Sequence, residues 1–113
     1  LRKEISRLQD KGFDVAPSFP GKSMTVGKTK VTLTGGETSE LERLSGEMAR
    51  ARLERLMASP RWGSISDYAK TQIINTTVKK SRDYAKSVLL KTEPQIKERA
   101  AAKRQQERSL RLS

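Results

Sequence analysis

The chain has 113 residues and a formal net charge of +11, with 33% charged, 34% hydrophobic and only 4% aromatic residues. This length suits one domain, and such a composition can build only a thin core. Because the sequence contains neither Cys nor His, disulfides, Cys/His zinc sites, thiol nucleophiles and imidazole bases are excluded.

Residues 1–36 are predicted to form a short helix, an extended strap and a small β-hairpin. Leu1, Ile5 and Leu8 share one helical face, and Gly12 ends that helix. The strap follows over residues 13–22, where Pro17 and Pro20 disfavour helix.

The predicted hairpin pairs two segments in which apolar and polar residues alternate. These segments are 24–26 and 31–33, and a four-residue turn over 27–30 joins them. Because two strands alone are marginally stable in water, we expect the hairpin to pack on a helix or to join the sheet of a partner.

Residues 37–90 are predicted to form a helical hairpin of two long helices. The first runs over about 37–58, with Thr34 or Thr38 as its cap, and Ser59-Pro60 ends it. The second runs over about 67–90, with Ser66 as its N-cap. On this second helix the small residues Ser81 and Ala85 would allow a partner helix to approach closely.

The apolar residues of the two helices extend over more than one face. We therefore expect a neighbouring chain to cover part of them. The connecting turn holds the only tryptophan, either as a plug of the hairpin or as an interface hot spot. The predicted protein interface comprises Leu41, Leu44, Met48, Trp62, Ile74, Val78, Val88 and Leu89.

Residues 91–113 are predicted to form a basic C-terminal helix or tail. From Lys79 to the C-terminus there are eleven Lys and Arg residues against four acidic residues, a balance of +7. Such a segment either binds phosphates or is a solvated helix. It has no aromatic residue for base stacking, so binding would involve the nucleic-acid backbone without sequence preference. The predicted anion contacts are Lys79, Arg82, Lys86, Lys97, Arg99, Lys103, Arg104, Arg108 and Arg111.

No catalytic, cofactor-binding or metal site is predicted. Gly27-Lys28-Thr29 matches the end of a phosphate-binding P-loop, but the glycine required upstream and the following helix are missing. The acidic residues at the start of the first long helix suit its dipole, and no nucleophile has a candidate base. We therefore expect neither a self-contained enzyme nor a small-molecule substrate.

The expected fold is mainly α. It consists of a helical hairpin, a small β-hairpin with an extended proline-containing strap, and a basic C-terminal helix or tail. Because the sequence begins at Leu1 and not at Met, we expect it to be a segment of a longer protein. No apolar run approaches the roughly 20 residues that a membrane-spanning helix needs.

The segment from Val31 to Leu90 resembles a region near the C-terminal end of large tailed-bacteriophage virion proteins of the tape-measure, internal or ejection type. The resemblance involves Val-Thr-Leu-Thr at 31–34, Leu-Ser-Gly-Glu at 44–47 and Ala-Arg-Leu-Glu-Arg-Leu-Met-Ala-Ser-Pro-Arg-Trp at 51–62. It continues through Ile-Ser-Asp-Tyr-Ala-Lys at 65–70 and Arg-Asp-Tyr-Ala-Lys at 82–86.

This resemblance implies a structural role in the tail or capsid interior, after assembly in the host cytoplasm. The chain would assemble with copies of itself or with tail and portal proteins, and its basic end would face DNA. Two alternatives remain at this point. One is a free-standing nucleic-acid-binding module without sequence preference, and the other is a scaffold that docks on an acidic protein.

Overall fold

The computed structural model describes residues 1–15 and 22–112 and shows a mainly helical chain with a two-stranded hairpin, which confirms the predicted fold class. The proline-bearing part of the predicted strap, residues 16–21, lies outside the described residues. The elements are α1 (Arg2–Asp10), β1 (Ser23–Val26), β2 (Thr29–Thr32), α2 (Gly35–Ala58), a 3₁₀ turn (Pro60–Ser64), α3 (Asp67–Thr92) and α4 (Gln95–Leu112).

The long helices begin at side-chain caps that the sequence encodes. At the start of α2 the Thr34 hydroxyl accepts a hydrogen bond from the Glu37 amide at 3.2 Å, and the Glu37 carboxylate accepts one from the Thr34 amide at 2.9 Å. This reciprocal capping box satisfies two backbone donors that the first turn leaves unpaired. Ser66 caps α3 by accepting from the Ala69 amide at 3.1 Å, as predicted.

The β-hairpin has a tighter turn than the sequence suggested. Met24 pairs with Val31 and Val26 pairs with Thr29, so only Gly27 and Lys28 form the turn. Gly27 has a φ of 65°, which is the conformation that favours glycine at the first position of a two-residue hairpin. The predicted four-residue turn was wrong because Thr29 and Lys30, although polar, are paired strand residues.

Among the described residues, two apolar cores lie along the packed pair α2 and α3. The first, here called the hairpin-end core, contains residues from both strands and from α2, α3 and α4: Met24, Val31, Leu33, Leu41, Ala85, Leu89, Ile96 and Ala100. The second, here called the Trp-end core, contains Leu8, Val15, Ala49, Leu53, Ile74 and Val78, with Trp62 packed against it.

The two long helices also meet through small side chains. Ser45 and Ser81 are each only 1% exposed, and Ala85 is fully buried, as expected from the small residues of the second helix. A small side chain on both helices lets their backbones approach closely.

Half of the predicted protein interface is buried inside the chain. Leu41, Ile74 and Leu89 are completely inaccessible, and Val78 is 8% exposed. These four residues therefore do not lie on a surface open to another protein. They are buried because α1, the hairpin and α4 cover apolar faces of the two long helices that we expected a neighbouring chain to cover.

The other four predicted interface residues, Leu44, Met48, Trp62 and Val88, are half-buried. Trp62 packs against the Trp-end core, which agrees with its predicted role as the plug of the helical hairpin. The Lys70 ammonium lies 5.7 Å from the centre of the Trp62 ring, within the range of a cation–π contact.

Candidate nucleic-acid interface

Helix α4 is packed into the core by its first two turns. Ile96 and Ala100 are fully buried in the hairpin-end core, whereas every residue from 101 to 111 is exposed. The predicted solvated helix is therefore correct for the outer part and wrong for the first turns. Residues 101–111 are called the basic arm below.

A buried carboxylate fixes the start of α4 to the start of α2. Glu37 is 5% exposed, and its two oxygens accept hydrogen bonds from the Arg99 guanidinium and from the Gln95 amide, the latter at 3.2 Å. Arg99 also donates to the Thr32 carbonyl at 3.3 Å. We call this group the Glu37 clasp.

The hydrogen bonds of the clasp set the ionisation of its carboxylate. Burial would raise the pKa of Glu37, but the hydrogen bonds from Arg99 and from the Thr34 amide, with the positive charge of Arg99, outweigh it. The pKa of Glu37 is consequently lowered, so the carboxylate is charged at neutral pH.

Two predicted anion contacts have structural partners instead. Arg99 belongs to the Glu37 clasp, and the Lys103 ammonium donates to the Lys30 carbonyl of β2 at 2.7 Å. Both residues lie on the face of α4 that is turned toward the hairpin. No sequence pattern separates them from the other cations of α4, because their partners are about 60 to 70 residues away along the chain.

Four cations of α4 form a continuous stripe. Lys97, Arg104, Arg108 and Arg111 follow spacings of seven, four and three residues, which place them on one side of a helix over roughly 21 Å. All four are exposed, and none forms an ion pair within residues 1–15 and 22–112. This set is called the basic stripe.

The three predicted contacts on α3 lie on another helix from the basic stripe. Lys79 is exposed, while Arg82 and Lys86 are half-buried. The Nε atom of Arg82 is buried without a hydrogen-bond partner in the part of the chain that the structure describes. Glu93 and Pro94 separate α3 from α4. The three cations of α3 therefore do not continue the basic stripe along the same helix.

The sequence interpretation missed one further group of cations. Arg52 and Arg55 of α2 and Lys80 of α3 border an open groove on the surface of the helical pair. The signal of Arg52 and Arg55 was hidden because the average charge of α2 is close to zero, whereas Lys80 was counted in the C-terminal surplus of charge but not assigned to a site. Glu37 was likewise interpreted only as a complement to the helix dipole, although the spacing Thr34-x-x-Glu37 already indicated a capping box.

No metal site or membrane span is found among the described residues. They contain no group of three or more Cys, His, Asp or Glu side chains that could hold a metal ion. Neither do they include a helix with the length and apolar character that crossing a bilayer requires. Comparison of the chain with models of protein families, with curated proteins and with solved structures finds no match.

Proposed function

We propose that the chain is a structural segment of a tailed-phage virion protein that binds the nucleic-acid backbone through the basic arm. The observation that carries the binding half of the proposal is the basic stripe, in which four exposed cations lie on one side of a helix without acidic partners among the described residues. No catalytic role is assigned to any residue.

The shape of α4 supports a polyanionic partner. The basic arm has three turns of helix with every side chain exposed, and exposed side chains contribute little packing to keep a helix of that length formed in water. Contacts between the stripe and phosphates would neutralise like charges along the arm and release counterions from the nucleic acid. Because the arm carries no aromatic residue, it would not distinguish bases by stacking.

The binding half can be tested by fluorescence anisotropy with a labelled duplex DNA over about 50 to 200 mM salt. If the four stripe cations each neutralise one phosphate, the slope of log K against log salt concentration is about −3.6 from the stripe alone. The double variant Arg104→Gln/Arg108→Gln should reduce the magnitude of that slope by about 1.8. Duplexes of unrelated sequence should bind equally well.

A matched control removes two exposed cations elsewhere. Lys3→Gln/Arg61→Gln has the same change in net charge but leaves α4 intact, and both residues are exposed. We expect this control to keep the wild-type slope within experimental error. Equal losses in the two double variants would show that total charge, and not the stripe, determines binding, and the proposal would then fail.

The virion half rests on the resemblance of residues 31–90 and needs a separate test. A virion segment should form a defined oligomer whose state does not change with salt, whereas a free-standing nucleic-acid-binding module should stay monomeric. Analytical ultracentrifugation at low and high salt separates the two. A salt-independent monomer at all concentrations would reject the assembly role while leaving the binding half unaffected.

A further inference from the structure

The seam between α2 and α3 has two sides, and residues 1–15 and 22–112 cover only one of them. On the covered side, Leu8 of α1 packs with Leu53 and Ile74 in the Trp-end core. Ile73 precedes Ile74 and is rotated by about 100° around the helix, so it lies toward the other side.

That other side is an open groove with an apolar floor. Leu56 of α2, which is 42% exposed, and Ile73 of α3 contribute to it, together with Thr76. The groove has a volume of about 460 Å³, which is enough for one or two large side chains. Leu56 is one of only four large hydrophobic side chains exposed in the described part of the chain.

The charged residues that line the groove are all cations. Arg52 and Arg55 lie on the α2 side and Lys80 on the α3 side, and no acidic residue lines the groove in the described ranges. None of these three cations forms an ion pair with a described residue. An occupant with carboxylates beside an apolar anchor would match both the rim and the floor.

The covered side shows how this helical pair already accepts a third helix. There α1 presents apolar residues to the seam, while Arg7 of α1 and Lys11, the residue that follows the helix, each pair with Asp67 of α3 at 2.9 Å. The open side has the same arrangement with the charges reversed, because its fixed groups are basic. A helix that complements the open side through apolar contacts and ion pairs would therefore be amphipathic and acidic.

We propose that this groove docks an acidic amphipathic helix of a partner protein, with an apolar side chain between Leu56 and Ile73 and carboxylates against Arg52, Arg55 and Lys80. The binding mode is a helix laid into a groove, anchored at positions i, i+4 and i+7. This surface is distinct from the basic stripe, which lies on α4, and the inference does not depend on nucleic-acid binding.

The test uses a synthetic amphipathic peptide of about 18 residues, with leucines at i, i+4 and i+7 and glutamates beside them. Titration into the full 113-residue chain, followed by amide chemical shifts, should perturb Ile73 and Thr76 with a Kd below about 1 mM. A second peptide with glutamines in place of the glutamates should bind at least about tenfold more weakly. Absence of binding, or equal binding of the two peptides, would overturn the proposal.

Two variants with equal charge changes locate the site. Arg52→Glu/Arg55→Glu/Lys80→Glu should weaken the acidic peptide at least about tenfold, whereas Arg104→Glu/Arg108→Glu/Arg111→Glu should leave its Kd unchanged. The single change Leu56→Arg, at an exposed position, checks the apolar anchor if the triple groove variant fails to fold. If the groove variants lose duplex DNA and keep the peptide, the groove is a nucleic-acid site and the proposal is wrong.

Discussion

The two ends of the helical pair are both closed by a carboxylate that holds an accessory helix, but the two carboxylates differ in their surroundings. At the hairpin end, Glu37 is 5% exposed and holds α4 through Arg99. At the Trp end, the Asp67 side chain is 24% exposed and holds α1 through Arg7 and Lys11. Water screens exposed ion pairs and weakens them. The polar contacts of Glu37 should therefore contribute more to the attachment of α4 than those of Asp67 contribute to the attachment of α1.

The accessory helices also end differently. Helix α1 stops at Asp10, and Gly12 follows with a φ of 90°. Helix α4 continues beyond its clasp for three exposed turns. The ion pairs of Asp67 thus hold a helix that ends within the Trp-end core, whereas the Glu37 clasp holds a helix whose cationic outer part extends into solvent. Four measurements can test this difference.

The largest effect is expected in the buried start of α4. Ile96→Ala should lower the free energy of unfolding by about 2 to 5 kcal/mol, because Ile96 is fully buried in the hairpin-end core. Urea denaturation followed by circular dichroism measures this change. The matched control is Leu110→Ala on the same helix, where the side chain is 77% exposed and the change should stay within about 0.5 kcal/mol. Similar losses in both variants would mean that the arm is packed.

The next effect concerns the Glu37 clasp. Glu37→Ala removes the capping box and the partner of Arg99 together, and should cost about 1 to 3 kcal/mol in urea denaturation. Glu37→Gln should cost less, because glutamine also completes a capping box. Glu40→Ala, on the next turn of α2, removes only a pair with the half-exposed Arg43 and should cost much less than Glu37→Ala, because water screens exposed ion pairs. Equal losses of stability in Glu37→Ala and Glu40→Ala would contradict the expectation that a buried carboxylate contributes more than an exposed one.

The third test follows Asp67 through its titration. Hydrogen bonds from Arg7 and Lys11 lower the pKa of Asp67 from 3.8 to about 2. Because the folded pKa lies below the unfolded value, the stabilisation is complete above about pH 4 to 5 and is lost as the pH falls toward 2. The stability curves of the wild type and Asp67→Asn should therefore converge below about pH 2 and separate as the pH rises. Parallel curves across this window would show that Asp67 contributes nothing through its charge.

The smallest effect on stability is expected in the basic arm. Arg104→Gln should change the free energy of unfolding by less than about 0.5 kcal/mol, since the side chain is exposed. The same substitution should still reduce the salt slope of DNA binding by about 0.9 in magnitude. A variant that loses stability and binding together would indicate that Arg104 supports the fold.

The sequence predicted local structure well because its signals are local. Glycine and proline end elements, Thr34 and Ser66 cap helices, and alternating residues mark the strands. The predicted bounds of the elements therefore agree with the observed bounds within about two residues. Long-range contacts were not accessible in this way. No pattern indicated that Arg99 would reach Glu37, that Lys103 would contact Lys30, or that α4 would begin inside a core.

From the sequence, the candidate nucleic-acid interface could be predicted only as a surplus of positive charge. Composition indicated cations near the C-terminus, but their division into structural and free groups depends on which side of α4 meets the hairpin. For Arg52 and Arg55 even the surplus was invisible, because the glutamates of α2 balance them in the sequence. Lys80 belongs to the C-terminal surplus, but no sequence pattern placed it beside the two arginines. Charge patterns identify sites only after the packing of helices has decided which residues share a surface.

The continuity of α2 and α3 has a consequence for how the protein melts. Both helices run uninterrupted through the hairpin-end core and the Trp-end core, so neither core can come apart without breaking a helix that the other needs. We infer that denaturation is cooperative and that the domain melts as a single unit. The fluorescence of Trp62 at one end would then report the loss of the β-hairpin at the other.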